Sequence, residues 1–205
     1  QQYFLSNKNF SLESDTMYLV KIENDPNSSV STSSIKRLSL PDHYFLSPNG
    51  QQYNGQELST NDSRVLGGII DQDWIQFVHH SMDTSSGTSG IYHGIIYDYE
   101  DETPYIQGKI ISDTAIDFGY PNIASTGINI NETECIIGFN YSSVNDTNGV
   151  ACIYMKDDLY SNFKILHKGT HAIDILSGDV ERWGDYFGIQ RKYDEPCRVW
   201  ISGMF

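Results

Sequence analysis

No segment of this 205-residue chain sustains a 3.6-residue apolar period over three turns, so strands are left as the element that must build its core. What recurs instead is a short apolar run bounded by Gly, Ser, Asn or Asp. "TMYLVKIE" (16–23) and "SIKRLSL" (34–40) alternate as a half-buried hairpin does, separated by the turn-rich "NDPNSSVSTS". "RVLGGII" (64–70), "WIQFVHHSM" (74–82), "IYHGIIYDY" (91–99) and "PYIQGKIIS" (104–112) follow. Then come "YPNIAST" (120–126), "ECIIGFN" (134–140), "GVACIYM" (149–155), "NFKILHKG" (162–169), "AIDIL" (172–176) and "CRVWISGMF" (197–205). The expected class is all-β, in one domain spanning residues 1–205 with no obvious linker.

Charge narrows the partners. With 27 acidic and 13 basic residues the formal net charge is −14, which repels phosphate backbones and anionic membranes. No apolar run approaches ~18 residues, so no membrane insertion is expected. Cys135, Cys152 and Cys197 form no metal-ligand spacing, and a symmetric turn around Asn145 and Asp146 would not set Cys135 opposite Cys152. Acceptor triplets for N-glycosylation begin at Asn27, Asn61, Asn131, Asn140 and Asn145.

The strands repeat. Val65, Tyr120 and Tyr186 each open a short apolar strand, followed by a turn and a strand dense in Ile, Val, Phe or Trp; they lie 55 and 66 positions apart. A period of that order with about four strands per unit is the signature of β-propeller blades. "WIQFV", "CIIGF" and "RVWIS" are apolar on both faces, as strands covered from both sides must be. The expectation is a β-propeller-like array of three to four four-stranded blades, to which residues 1–59 fit less sharply; a β-sandwich is the competitor.

The decapeptide "ERWGDYFGIQ" (181–190) poses the choice between a catalytic site, with Glu181 and Asp185 as acids, and a repeated structural signature. "RWGDY" stands before a strand as "DFGY" (117–120) does, an aromatic, a glycine and an acid turning the chain each time. The structural reading follows. Trp183 and Tyr186 are expected to pack between blades, Gly184 to make the turn, and Asp185 to accept backbone N–H groups. Tyr120 and Pro121 are their counterparts in the second unit.

"TNDSRVLGGI" (60–69), "GIYHGIIYD" (90–98), "FGYPNIAS" (118–125) and "ERWGDYFGIQRKY" (181–193), in this order, resemble secreted β-propeller proteins of the Bacteroidetes with sialidase-like, BNR-like repeats. The resemblance covers residues 60–205. It implies an extracellular or cell-surface location and export by type IX secretion, in a family mostly without assigned function. The chain departs from that pattern in carrying no sorting domain. Three to four blades are also too few for a typical closed ring, so a partial ring, or one completed by another segment, is expected.

The chemistry of sialidases finds little support in the letters. No complete S-x-D-x-G-x-x-W box occurs, and nothing selects a carboxylate clamp from Arg37, Arg64, Arg182, Arg191 and Arg198. Nor does the sequence select a catalytic pair from its acids, and no GxSxG, HExxH, P-loop or GxGxxG is present. Two cation sites can be drawn. A symmetric hairpin around "DTSSGTSG" (83–90) sets His80 opposite His93, a pair able to hold a metal with Asp73 or Asp98 nearby; the alternative is two histidines satisfied within the hairpin. The acids of "DYEDET" (98–103) offer oxygens to Ca²⁺ but lack the spacing of a Ca²⁺ loop. Two functions stay open: a non-catalytic binding or adhesion module for a glycan or protein, with 14 tyrosines for adaptable contacts, or a glycan-active hydrolase with carboxylates in blade-top loops.

Overall fold

Alternation of buried and exposed side chains organises the first sheet of the computed structural model, which describes residues 1–24, 31–53, 55–129 and 132–205. Strands β1 (Gln2–Asn7), β2 (Glu13–Asn24) and β3 (Ser31–Phe45) form an antiparallel meander in that order. Met17 and Leu19 of β2 and Leu38, Leu40 and Tyr44 of β3 are buried. The hairpin read at 16–23 and 34–40 is therefore present and gains a leading strand. Short strands β4 (Gly50–Gln51) and β5 (Glu57–Ser59) follow as a hairpin.

The second sheet is a four-stranded antiparallel meander of β6 (Val65–Ile70), β7 (Trp74–Met82), β8 (Ser89–Tyr97) and β9 (Tyr105–Ile111). The third repeats this plan with β10 (Asp117–Ser125), β11 (Cys135–Ser142), β12 (Gly149–Lys156) and, both on the far edge of β12, β13 (Leu159–Tyr160) and β14 (Lys164–Lys168). Strand β15 (Val180–Arg182) runs parallel to β5, and β16 (Gly188–Arg191) pairs with β17 (Val199–Ser202).

Packing explains why the middle strands are apolar on both faces. Trp74, Val78, Ile91 and Ile95 turn one face of the second sheet toward Phe118, Ile137, Phe139 and Ile153 of the third. Ile75, Phe77, Tyr92 and Ile96 turn the other face toward Met17, Leu19 and Tyr44 of the first. Each fully buried side chain of this size contributes about 1.5–3 kcal/mol. The third sheet meets the last hairpin through Tyr120, Val150 and Phe187, with Ile189 and Ile201 packed against them. Four layers thus stack in chain order. Strands β6 and β10 approach so closely that a Cβ on Gly67 would fall 3.1 Å from Asn122 Cα, which restricts that position to glycine.

Every regular element among the described residues is a strand, so the all-β expectation holds. The described residues close no ring or barrel, and their stacked sheets are compatible with a sandwich as well. "AIDIL" is no strand: its segment lies against the β4–β5 hairpin, where Gln52 bonds both the N–H and the C=O of Ile173. "RVWIS" is not covered on both faces either, since Trp200 is 66% exposed. Cys135 pairs with Met155 and Cys152 with Gly138, so register keeps the two cysteines apart, and all three are free thiols. The triplets at Asn27 and Asn131 lie outside the described residues. No described helix is long and apolar enough to cross a membrane.

Candidate functional site

Three polar side chains each reach from one sheet to the segment entering the next. Asn7, the last residue of β1, donates Nδ2 to the Ser63 carbonyl at 2.7 Å, just before β6. His80, two residues before the end of β7, accepts the Tyr120 N–H on Nε2 at 2.6 Å, within β10. Asn140, two residues before the end of β11, directs Nδ2 to the Gly184 carbonyl at 3.5 Å, ahead of β16. Near each contact the backbone takes a positive φ: 67° at Asn61, 51° at Tyr120 and 93° at Gly184. For a tyrosine that conformation costs about 1–3 kcal/mol and persists only when its surroundings enforce it. Here His80 holds the Tyr120 N–H, and the Tyr120 hydroxyl donates to the Ser59 carbonyl at 2.9 Å.

The decapeptide belongs to this construction, but not as expected throughout. Trp183 is buried, at 4% exposure, and so are Tyr120 and Pro121. Gly184 is required, because a Cβ there would lie 2.5 Å from Asn140 Nδ2 and 2.6 Å from the Tyr120 ring. Tyr186, by contrast, is 86% exposed, and Phe187 packs in its place. Asp185 sits at the surface and pairs with Arg182 at 3.0 Å instead of accepting turn N–H groups; the turn is closed by Phe187 N–H on Gly184 O. The acid that does accept a backbone N–H is Glu181, fully buried, whose two oxygens take the Leu176 N–H at 2.9 and 3.0 Å. The reason is directional: β15 alternates exposed, buried and exposed residues, which turns Glu181 inward, whereas Asp185 lies past the strand beside Arg182 and Tyr120.

The histidine pair expected across the hairpin does not form. Val78 stands opposite His93 and Ile91 opposite His80, because the turn bonds of Asp83 with Gly87 and Thr88 shift the register by two residues. Each ring is engaged separately. His80 donates Nδ1–H to the Asp62 carbonyl at 3.2 Å while Nε2 accepts, so the ring is neutral, and burial pushes its pKa down to about 4. His93 donates to Gln76 Oε1 at 3.0 Å and accepts the Tyr160 hydroxyl at 2.7 Å, with its pKa pushed by burial to about 3. In the acidic turn 98–103, Lys36 Nζ donates to the carbonyls of Tyr99 and Asp101, and Glu100 is bonded by Tyr3 with Lys21 3.6 Å away. No group of three or more His, Cys, Asp or Glu among the described residues gathers for a metal.

Open space lies along the first strands instead. Strands β6, β10 and β16 leave a cleft of about 340 Å³ whose polar lining is Asp71, Ser125, Gln190, Arg191 and Tyr193, above Trp74. The Arg191 guanidinium lies 6.0 Å from the Tyr193 ring centre, and its Nε is buried with no hydrogen-bond partner. Buried donors are normally paired, so an acceptor is wanted there. Between β1 and β6 a second cleft of about 730 Å³ shares Gly68, Ile69 and Ile70 with the first and has Phe4, Leu5 and Val65 in its walls. Sequence reasoning missed Asn7 and Asp71, which belong to no motif, named Arg191 only as one of five arginines and named Asn140 only as the start of a glycosylation triplet. Their only signal is position: each lies at a strand end or in the turn beside one. No family model matches this chain, and neither a curated protein nor a solved structure matches it.

Proposed function

We propose that this chain is a non-catalytic binding module, built as consecutive β-propeller-like blades, that recognises a glycan or protein outside the cell or at its surface. The cleft at the first strands carries the reading. An exposed tyrosine, an arginine with an unmatched donor and an amide from the last hairpin converge there with the Ser125 hydroxyl of the third sheet and the Asp71 carboxylate beside the second. A flat ring and a set of fixed donors and acceptors suit a sugar, which offers apolar C–H faces and hydroxyls together. Asp71 is the one carboxylate among the described residues of that lining, whereas glycoside hydrolysis needs two carboxyl groups roughly 5–10 Å apart. The blade reading is supported by the four-stranded meander of the second sheet and its five-stranded counterpart in the third, by contact between β6, β10 and β16, and by the Asn7, His80 and Asn140 contacts recurring near strand ends. Surface location rests on the resemblance of residues 60–205 alone, and the charge of −14 speaks against a nucleic-acid partner.

A panel of immobilised neutral and acidic glycans tests the reading. Retention of at least one class by the parent chain, weakened about tenfold in both Tyr193→Ala and Arg191→Gln, is the expected result. Tyr193 is 81% exposed, so its removal leaves the fold intact. Binding untouched by either change would move the site elsewhere, and release of sugar from the bound glycan would favour the hydrolase.

A further inference from the structure

Two residues that line the cleft between β6, β10 and β16 carry a buried donor with no partner among the described residues. Arg191 Nε is one of these donors. The other is Trp74 Nε1, on an indole that belongs to the core with Ile123 and is 2% exposed. Buried indole and guanidinium N–H groups are normally paired, and both groups can only donate, so each calls for an acceptor. Charge adds to this demand. On the same hairpin Glu195 pairs with Lys192 and Arg198, whereas Arg191 has no carboxylate partner among the described residues.

We propose that this cleft takes an acidic sugar whose carboxylate is held between Arg191 and Trp74, an assignment of ligand class that rests on reading the cleft as a glycan site. The fork of Nε and one Nη matches the two oxygens of a carboxylate, and the indole N–H supplies a third donor. Asp71 lines the same cleft, and its carboxylate accepts the N–H of the neighbouring Gln72 with oxygen lone pairs to spare. It disfavours a doubly charged phosphate group there and accepts from hydroxyls. Ser125 and Gln190 add a hydroxyl and an amide, each able to donate or accept. A ligand with one planar anionic group and several hydroxyls meets these demands together, and the Tyr193 ring suits its C–H face. A neutral sugar leaves the guanidinium charge unmatched, and a bare carboxylate leaves Asp71 and Tyr193 unused.

The test is a titration of the intact, isotope-labelled chain, read at the Trp74 indole N–H by nuclear magnetic resonance. The probes are sodium glucuronate and sodium galacturonate, their uncharged methyl esters, and sodium acetate. At least one of the two acids should shift the Trp74 signal saturably and bind at least about tenfold more tightly than its ester and than acetate. Arg191→Gln should abolish the preference for acid over ester. The comparison of ligands on the parent chain needs no variant to fold. Equal binding of acid and ester would overturn the carboxylate assignment and leave the glycan reading standing, as would an undiminished preference in a folded Arg191→Gln chain. Acetate binding as tightly as either acid would overturn the sugar instead, and with it the glycan reading of this cleft. A Trp74 signal unmoved by every probe up to about 50 mM would overturn the proposal, whatever the glycan panel retains.

Discussion

His80 Nε2 accepts the backbone N–H of Tyr120 at 2.6 Å, and the residue it holds has a φ of 51°. A protonated imidazole cannot accept, so this joint between the second and third sheets exists only with neutral His80. The same holds for His93, whose Nδ1 accepts the Tyr160 hydroxyl.

Acid should therefore loosen the stack before it reaches the carboxylates. Burial depresses the pKa of His79 and His80 from 6.5 to about 4, and of His93 to about 3. Between these values and 6.5 the unfolded chain binds protons that the folded chain does not, so stability is full above the unfolded value and falls as pH drops toward 4. Asp62 and Asp83 act lower. Burial pushes Asp62 up, but the Arg64 hydrogen bonds prevail and hold it below the usual range, and Ser112 and Ser85 hold Asp83 near 2. Asp117, raised by burial, opposes the trend only around the carboxylate range. The urea midpoint is expected to decline steadily from about pH 7 to 4.5, and less steeply in His93→Gln. A flat profile over that window would show that these rings are not buried as described.

The decapeptide makes a graded prediction. Trp183→Ala removes a large buried ring and should cost on the order of 3–5 kcal/mol. Gly184→Ala adds a Cβ against Asn140 and Tyr120 at a φ of 93° and should cost about 1–3 kcal/mol, whereas Gly178→Ala, with nothing within 4 Å, should be near neutral. Asp185→Ala removes a surface ion pair with Arg182 and a contact with the Tyr120 side chain, and should cost about 1 kcal/mol. Denaturant midpoints rank the four. A large loss at Asp185 would restore to it the turn-capping role that the structure gives to no group there.

Much of this was legible in the letters. The meander strands from Trp74 to Lys156 are long and apolar, and alternation or double-sided burial leaves a trace in composition. Short pairings such as β4 with β5 and β15 were not, because two- or three-residue strands are defined by their partners and have no period of their own. Register failed at His80 and His93 for a related reason: the hairpin closes asymmetrically on Asp83, and a shift of two residues preserves the inward and outward faces while changing every opposite pair. The Asn7, His80 and Asn140 relation was invisible because the asparagines donate to a carbonyl while the histidine accepts an N–H, and no shared residue type marks the three positions.

The thiols test the register of the third sheet. Cys197 is exposed, Cys152 half-buried and Cys135 fully buried with its pKa pushed up by burial. An aromatic disulfide reagent should label Cys197 rapidly, Cys152 slowly and Cys135 only in denaturant. Three labelled thiols in denaturant without reductant is the expected end point. A single labelled thiol would mean that Cys135 and Cys152 are bridged and that β11 and β12 are paired differently.

The register of the second sheet is tested by two glycines that lie under aromatic rings. Phe77 stands opposite Gly94, and a Cβ there would meet the ring carbon Cζ at 2.2 Å; Tyr92 covers Gly108, where a Cβ would meet the hydroxyl oxygen at 2.0 Å. The two cases differ in how the ring can answer. Phe77 is fully buried beside the stacked pair of His79 and Tyr92, nearly parallel to both rings and about 6 Å from each, so it has little room to swing aside. Tyr92 meets Gly108 only through its far end, near the Asp42 carbonyl that accepts its hydroxyl at 3.3 Å. Gly94→Ala should therefore cost about 1–3 kcal/mol through displaced rings, and Gly108→Ala less, through a lost hydrogen bond of about 1 kcal/mol. In Gly94→Ala the near-ultraviolet circular dichroism of the ring stack should weaken as well, even where the chain remains folded. Equal, near-zero costs at both glycines would mean that Phe77 does not cross the strand at Gly94, and the pairing of β7 with β8 would have to be redrawn.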